Sequence, residues 1–84
     1  MHITFKLFAS LSDYLPVEAK YANQVQYPLQ DNQTVQQMIE AFQLPDKLVH
    51  LVLVNGVYIY PEQRITHVLQ HEDVLAIWPP IAGG

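Results

Sequence analysis

Val74-Leu75-Ala76-Ile77-Trp78-Pro79-Pro80-Ile81-Ala82-Gly83-Gly84, the last stretch of this 84-residue sequence, joins an apolar strand to a segment that cannot extend it. Proline has no backbone N–H for a sheet ladder and its ring fixes φ. The residue before a proline is pushed towards extended geometry, so Trp78 and Pro79 direct the chain straight out. Gly83 and Gly84 lack a Cβ, which lets the final peptide pass through a slot too narrow for other residues. A frayed end is usually polar; this one is apolar, proline-stiffened and without charged side chains. It reads as a tail built for insertion, and the reactive group it offers is the α-carboxylate of Gly84. The strand before it is apolar on both faces, which places it centrally in a sheet, beside the first strand.

Working outward, Ile3, Phe5 and Leu7 alternate with Thr4 and Lys6, the period-2 pattern of a half-buried strand. Ser10 is placed to cap a short helical turn, Leu11 to Leu15, closed by Pro16. Residues 17–23 are mixed and polar and read as a connection. Val25, Tyr27 and Leu29 form a second, weaker strand, which Pro28 marks as an edge. Thr34 and Gln37 have capping-box spacing. Val35, Met38, Ile39 and Phe42 then make one apolar helical stripe, with Gln36, Gln37, Glu40 and Gln43 facing water and Pro45 ending the helix. Leu51–Val54 and Val57–Tyr60 flank Asn55-Gly56, the dipeptide of a type I′ hairpin turn. Residues 61–73 connect, with Ile65, Val68 and Leu69 expected to tuck under the sheet. The order strand, strand, helix, strand, strand, strand predicts a two-layer α+β domain, one main helix laid across a mixed sheet, in the β-grasp (ubiquitin-like) arrangement. Residues 1–84 make one domain, with 79–84 as a protruding tail.

Composition narrows the function. Half the residues are hydrophobic and 14% are charged, which argues for a folded domain. The net charge of −4, with only Lys6, Lys20, Lys47 and Arg64 as scattered cations, opposes a nucleic-acid surface. The chain has no cysteine, so thiolate nucleophiles, disulfides and cysteine zinc sites are out. No apolar run approaches membrane length and no signal pattern opens the chain, so a soluble cytoplasmic protein is expected. The glycines, Gly56, Gly83 and Gly84, build no phosphate loop. His67 and His71, four apart with Glu72 adjacent, have metal-ligand spacing on a helix, but the turn context favours a solvated pair. No bound cofactor and no metal is expected.

By elimination the chemical handle is the Gly84 carboxylate. ATP can activate a carboxylate as an acyl adenylate, and a sulfur donor can displace AMP to leave a thiocarboxylate. Sulfur would then ride on Gly84 without any thiol side chain. The chain has no nucleotide site, so ATP would be used in trans.

Val54-Asn55-Gly56, the turn at residues 72–74, the opening Lys6-Leu7-Phe8-Ala9 and above all the ending Trp78-Pro79-Pro80-Ile81-Ala82-Gly83-Gly84 resemble the small sulfur-carrying subunit of molybdopterin synthase. The wider set is the ubiquitin-like sulfur carriers, including the thiamin-pathway carrier. The resemblance runs along the whole chain, and the paired prolines favour the molybdopterin group. It implies a non-catalytic carrier, with Gly84 adenylated by an E1-like enzyme and loaded from a desulfurase- or rhodanese-type donor. The tail would then enter a large catalytic synthase subunit, where the thiocarboxylate supplies the dithiolene sulfurs. Gly83 would give passage, Pro79, Pro80, Ile81 and Ala82 would hold the tail extended, and Trp78 would anchor the partner. Ordinary strand-end packing is an equal reading of Trp78. The turn before the last strand departs from the family's Asp-Gly-Asp, having His71-Glu72-Asp73. The alternatives are other sulfur-carrier pathways (thiamin, tungsten-pterin), a ubiquitin-like protein modifier, and a plain interaction domain using the apolar sheet surface of the strands Leu51 to Val54 and Val74 to Trp78.

Overall fold

The last strand lies in the middle of the sheet. The computed structural model describes residues 1–80, and in it β1 (His2–Leu7), β2 (Gln24–Pro28), β3 (Leu51–Val54), β4 (Val57–Tyr58) and β5 (Val74–Trp78) form one sheet in the order β2-β1-β5-β3-β4. β5 runs parallel to β1, with Phe5 opposite Leu75 and Leu7 opposite Ile77. It is antiparallel to β3, with Val52 opposite Ile77 and Leu51 opposite Trp78. Apolar residues in both phases of a strand give the sheet an apolar surface on each face there, where cover on one face alone would call only for alternation. Leu75, Ala76 and Ile77 are buried and Val74 and Trp78 half-buried, as the pattern predicts.

β2 is the edge strand that Pro28 predicts. Leu7 N–H donates to the Asn23 carbonyl and Leu29 N–H to the Met1 carbonyl. Antiparallel alternation then turns the backbone groups of Val25 and Tyr27 inward and those of Gln24, Gln26 and Pro28 outward. Pro28 therefore withholds its N–H only from the open edge.

One face is covered by α1 (Val35–Ala41), seven residues long and too short to stand alone in water. Its orphan N–H groups all find partners. Thr34 Oγ1 accepts from Gln37 N–H at 3.2 Å while Gln37 Oε1 accepts from Thr34 N–H at 2.9 Å, completing the capping box. Val35 N–H donates to the His67 carbonyl and Gln36 N–H to the Arg64 carbonyl. Val35, Met38 and Ile39 pack on Ile3, Phe5, Leu7, Val52, Leu75 and Ile77 in one core, with Phe42 at its margin. Fully burying side chains of this size stabilises by ~1.5–3 kcal/mol each relative to exposure.

Several local expectations are corrected. α1 stops before Pro45 is reached. Gln43 takes φ 56°, Leu44 N–H donates to the Ile39 carbonyl and Gln43 N–H to the Glu40 carbonyl, a left-handed terminal cap. Ser10 caps nothing. A 3₁₀ helix spans Ala9–Tyr14, starting from Phe8 with no side-chain cap, because Ala9 at φ 53° turns the chain directly off β1. The second hairpin arm ends at Tyr58, although Ile59 N–H still donates to the Val52 carbonyl.

In residues 61–73 only Leu69 of the three expected residues is buried; Ile65 is 64% exposed and Val68 42%. That segment is placed by its backbone, which meets the start of α1: Val68 bridges Thr34, and Leu69 N–H reaches the Gln33 carbonyl. Arg64 is buried there instead. Asn55 and Gly56 take φ 51° and 82°, the positive pair a type I′ turn requires. One helix on a five-stranded mixed sheet, with the first and last strands parallel and adjacent, is the β-grasp arrangement. Among the described residues no helix is long and apolar enough to cross a membrane.

Candidate functional site

The base of the tail is held from both sides. Phe8 N–H donates to the Ile77 carbonyl at 3.2 Å, and His50 N–H donates to the Trp78 carbonyl at 3.1 Å. The next two residues, Pro79 and Pro80, have no N–H to offer β1 or β3, so the ladder stops there while the strand before it stays fixed. Pro79 is half-buried and Pro80 exposed. Ile81, Ala82, Gly83 and Gly84 lie outside the described residues.

Trp78 stacks on Phe8, ring centroids 4.3 Å apart and planes 7° from parallel. Both are half-buried and stand on the sheet face opposite α1. Strand alternation assigns the rest of that face: Thr4 beside Val74, Lys6 beside Ala76, Ala76 beside Leu53, Leu53 beside Tyr58, and Leu51 beside Trp78. Phe8, Leu51, Leu53, Val74 and Trp78 are half-buried with no helix over them, and Tyr58 is exposed. Lys6 enters no ion pair among the described residues; the Lys bridge is Lys20 to exposed Asp13 at 3.7 Å. The β5–β3–β4 side of the face is therefore an apolar strip continuous with the tail base, bordered on the β1–β2 side by Thr4, Lys6, Gln24 and Gln26. A contiguous, half-buried apolar strip of this kind is a candidate interaction surface.

Of the seven expected site residues, Trp78 and Pro79 sit together at the edge of this strip and Pro80 leaves it. Leu51 and Leu53 belong to the apolar strand surface expected of an interaction domain, whereas Phe8 and Tyr58 were not singled out as site residues from the sequence. A signal was available: Phe8 is apolar in the phase of Thr4 and Lys6, and Leu51 and Leu53 are apolar out of phase with Val52 and Val54. Such double-phase runs declare a second apolar face. Arg64 carried no signal at all. It is 8% exposed, its guanidinium reaches the His50 carbonyl at 3.4 Å, and its Nε has no partner among the described residues.

The histidines do not assemble a metal site. His71 turns to His2, with ring centroids 4.6 Å apart and His71 Nδ1 accepting His2 N–H, while His67 is half-buried and gives its carbonyl to α1. Among the described residues no three His, Asp or Glu side chains could hold a metal ion. Two open clefts of about 480 and 370 Å³ lie at the other end of β5, around Val68, and neither touches Trp78 or Pro79.

Comparison with known proteins gives the same architecture. The family described as Mut7-C ubiquitin matches residues 1–82. No curated protein matches the chain. Among solved structures, the Haloferax volcanii HVO 2177 protein superposes with a TM-score of 0.74 over 100% of this chain and 87% of its own, at 21% identity. SAMP1 of the same organism gives 0.68 over 100% of both chains at 21% identity. A Pyrococcus furiosus protein described as molybdopterin converting factor, subunit 1, gives 0.70 over 96% of this chain and 99% of its own at 18% identity. These likenesses establish a ubiquitin-like β-grasp fold.

Proposed function

We propose that this chain, which belongs to the Mut7-C ubiquitin family, is a sulfur carrier whose Gly84 carboxylate becomes a thiocarboxylate for molybdopterin synthesis. The observation that carries the reading is how β5 ends. A strand clamped on both sides by Phe8 and His50 runs into Pro79-Pro80 and then Ile81-Ala82-Gly83-Gly84. A rigid base with a stiff, uncharged, glycine-ended extension suits delivery of a terminal carboxylate into another protein's active site.

The chemistry assigns this chain a passive part. An E1-like adenylating enzyme would bind the Phe8–Trp78 face, draw in the tail and join Gly84 to AMP, releasing pyrophosphate from ATP. The persulfide of a desulfurase- or rhodanese-type donor would then attack the adenylate and displace AMP. A thiol would cleave the resulting acyl disulfide, leaving the thiocarboxylate on Gly84 as the donor sulfur and that thiol form a disulfide. The large subunit of molybdopterin synthase would dock on the same strip and take the sulfur from Gly84, with Gly83 threading the narrowest part of its channel. The Pyrococcus furiosus neighbour described as molybdopterin converting factor supports this pathway.

A second reading has its own support, since a small archaeal modifier protein shares the fold at TM-score 0.64. There the activated carboxylate would meet a lysine amine and form an isopeptide bond. The deciding measurement is intact mass after incubation with ATP, an activating enzyme proved on a control carrier, and a sulfur donor. Replacement of one oxygen by sulfur, absent when Gly84 is deleted, is the carrier result. Lysine conjugates that survive denaturing gels are the modifier result. If neither appears, both readings fail for that enzyme.

A further inference from the structure

The hairpin turn is locked to the start of β5 by bonds that sulfur carriage does not use. Asn55 Nδ2 donates to Asp73 Oδ1 at 2.8 Å, and Asn55 Oδ1 accepts Val74 N–H at 2.8 Å. The other Asp73 oxygen accepts Gln70 N–H at 2.8 Å. Asn55 N–H closes the ring on the Val74 carbonyl at 2.9 Å. One side-chain amide thus ties the β3–β4 hairpin to β5.

The dipeptide is also reactive. The backbone nitrogen of a following glycine can attack an asparagine Cγ: a C–N bond forms, ammonia leaves, and the five-membered imide opens with one water. Either of its two carbonyls can be opened, giving aspartate or isoaspartate. Asn55 and Gly56 are exposed, and open space lies beside the Gly56 Cα, where no atom stands within 4 Å of the position a Cβ would take. Attack requires the Asn55 amide to turn towards Gly56 N and out of both 2.8 Å bonds.

We infer that Asn55 is a self-modifying site, its substrates being the chain itself and water, and that Asp73 and Val74 hold it in check while the hairpin is closed. The reaction is one-way. It replaces the Nδ2 donor with a carboxylate facing the Asp73 carboxylate, so the lock cannot re-form and the product records that the hairpin has opened.

The test incubates the full chain at mildly alkaline pH and quantifies aspartate and isoaspartate at position 55 by peptide mapping. Folded wild type should convert at least about tenfold more slowly than the same chain in concentrated urea, the factor expected from losing a charged-acceptor hydrogen bond. Folded Asp73→Ala should move towards the urea rate. Equal rates for folded and unfolded wild type would overturn the inference, as would no acceleration in Asp73→Ala. Independently of that variant's folding, Asn55→Asp should lower the urea midpoint and Asn55→Asp/Asp73→Asn should recover it. Asn55→Asp as stable as wild type would also overturn the inference, since aspartate tolerates the turn's φ about as well as asparagine.

Discussion

Glu72 occupies a backbone position that a glycine would hold at lower cost, and Glu72→Gly should stabilise the protein. Among the described residues six non-glycine residues take positive φ: Asn23, Asn32 and Asn55, whose side chains tolerate it, and Ala9, Gln43 and Glu72, whose side chains do not. Glu72 lies furthest out of these, at 71°. The left-handed conformation costs an L-residue with a Cβ ~1–2 kcal/mol. Glycine gives back roughly 0.5–1 kcal/mol of this through its greater freedom in the unfolded chain. Little else changes. Glu72 N–H still donates to the His2 carbonyl at 2.7 Å. The side chain is 73% exposed, and its contact with His71 at 3.6 Å, ionic only when His71 is protonated, is one that solvent screening leaves nearly worthless. The difference is centred on about 0.75 kcal/mol, or about 3–6 °C in Tm for a domain of this size. Urea unfolding followed by the single tryptophan, Trp78, with calorimetry beside it, measures this directly. Glu72→Ala is the control, removing the same side chain while keeping the Cβ, and should give no stabilisation. If Glu72→Ala gains as much as Glu72→Gly, or Glu72→Gly gains nothing, the backbone argument is wrong.

Thr34→Ala removes the hydroxyl that accepts Gln37 N–H and should cost ~0.5–2 kcal/mol by urea unfolding, with loss of helical circular dichroism at lower denaturant. Arg64→Met should leave stability within about 1 kcal/mol of wild type or raise it, because a buried guanidinium with one long bond and an unpartnered Nε is replaced by well-packed carbon. A loss of several kcal/mol would mean that the charge is satisfied in a way its geometry does not suggest. Phe8→Ala should cost ~0.5–1.5 kcal/mol of aromatic stacking beyond the buried area and shift the Trp78 emission to the red. If the strip is a docking face, the same variant raises KM for the activating enzyme at a temperature where it is fully folded.

Much of the fold was legible because its signals are local and agree. Thr34 with Gln37, Asn55 with Gly56, and the two-phase apolar run of β5 each specify one backbone solution, and the central place of β5 follows from that last pattern. What stayed hidden depends on partners distant in sequence. Ile65 and Val68 read as core by composition, yet their segment is fixed by carbonyls of Arg64 and His67 meeting the first turn of α1. No periodicity records that contact. The end of α1 was misplaced because Gln43 adopts a conformation usually reserved for glycine, and the Leu44–Ile39 bond that rewards it spans the cap. At the site, Trp78 was legible with two roles. The stack on Phe8 explains its packing without removing the other role, since the pair still faces solvent.

The distribution of charge bears on what that face meets. The chain carries eight side-chain carboxylates, Asp13, Glu18, Asp31, Glu40, Asp46, Glu62, Glu72 and Asp73, and none of them lies on a strand. All sit on the helix, the 3₁₀ turns and the loops. Among strand residues the formal charge is Lys6 alone, in mid-sheet between Gln24 and Ala76 on the open face. A net charge of −4 kept off the sheet keeps copies of the molecule apart at long range. It leaves the apolar strip free of the desolvation cost that a buried carboxylate would impose on docking. Lys6 then favours a partner that is apolar where it covers Leu51, Leu53 and Trp78 and acidic at one point, a complementarity that sets orientation more than affinity. That orientation decides the outcome for a tail that leaves the sheet at Trp78. A partner seated on this strip in the register Lys6 selects would receive Pro79 and Pro80 at one fixed place on its own surface.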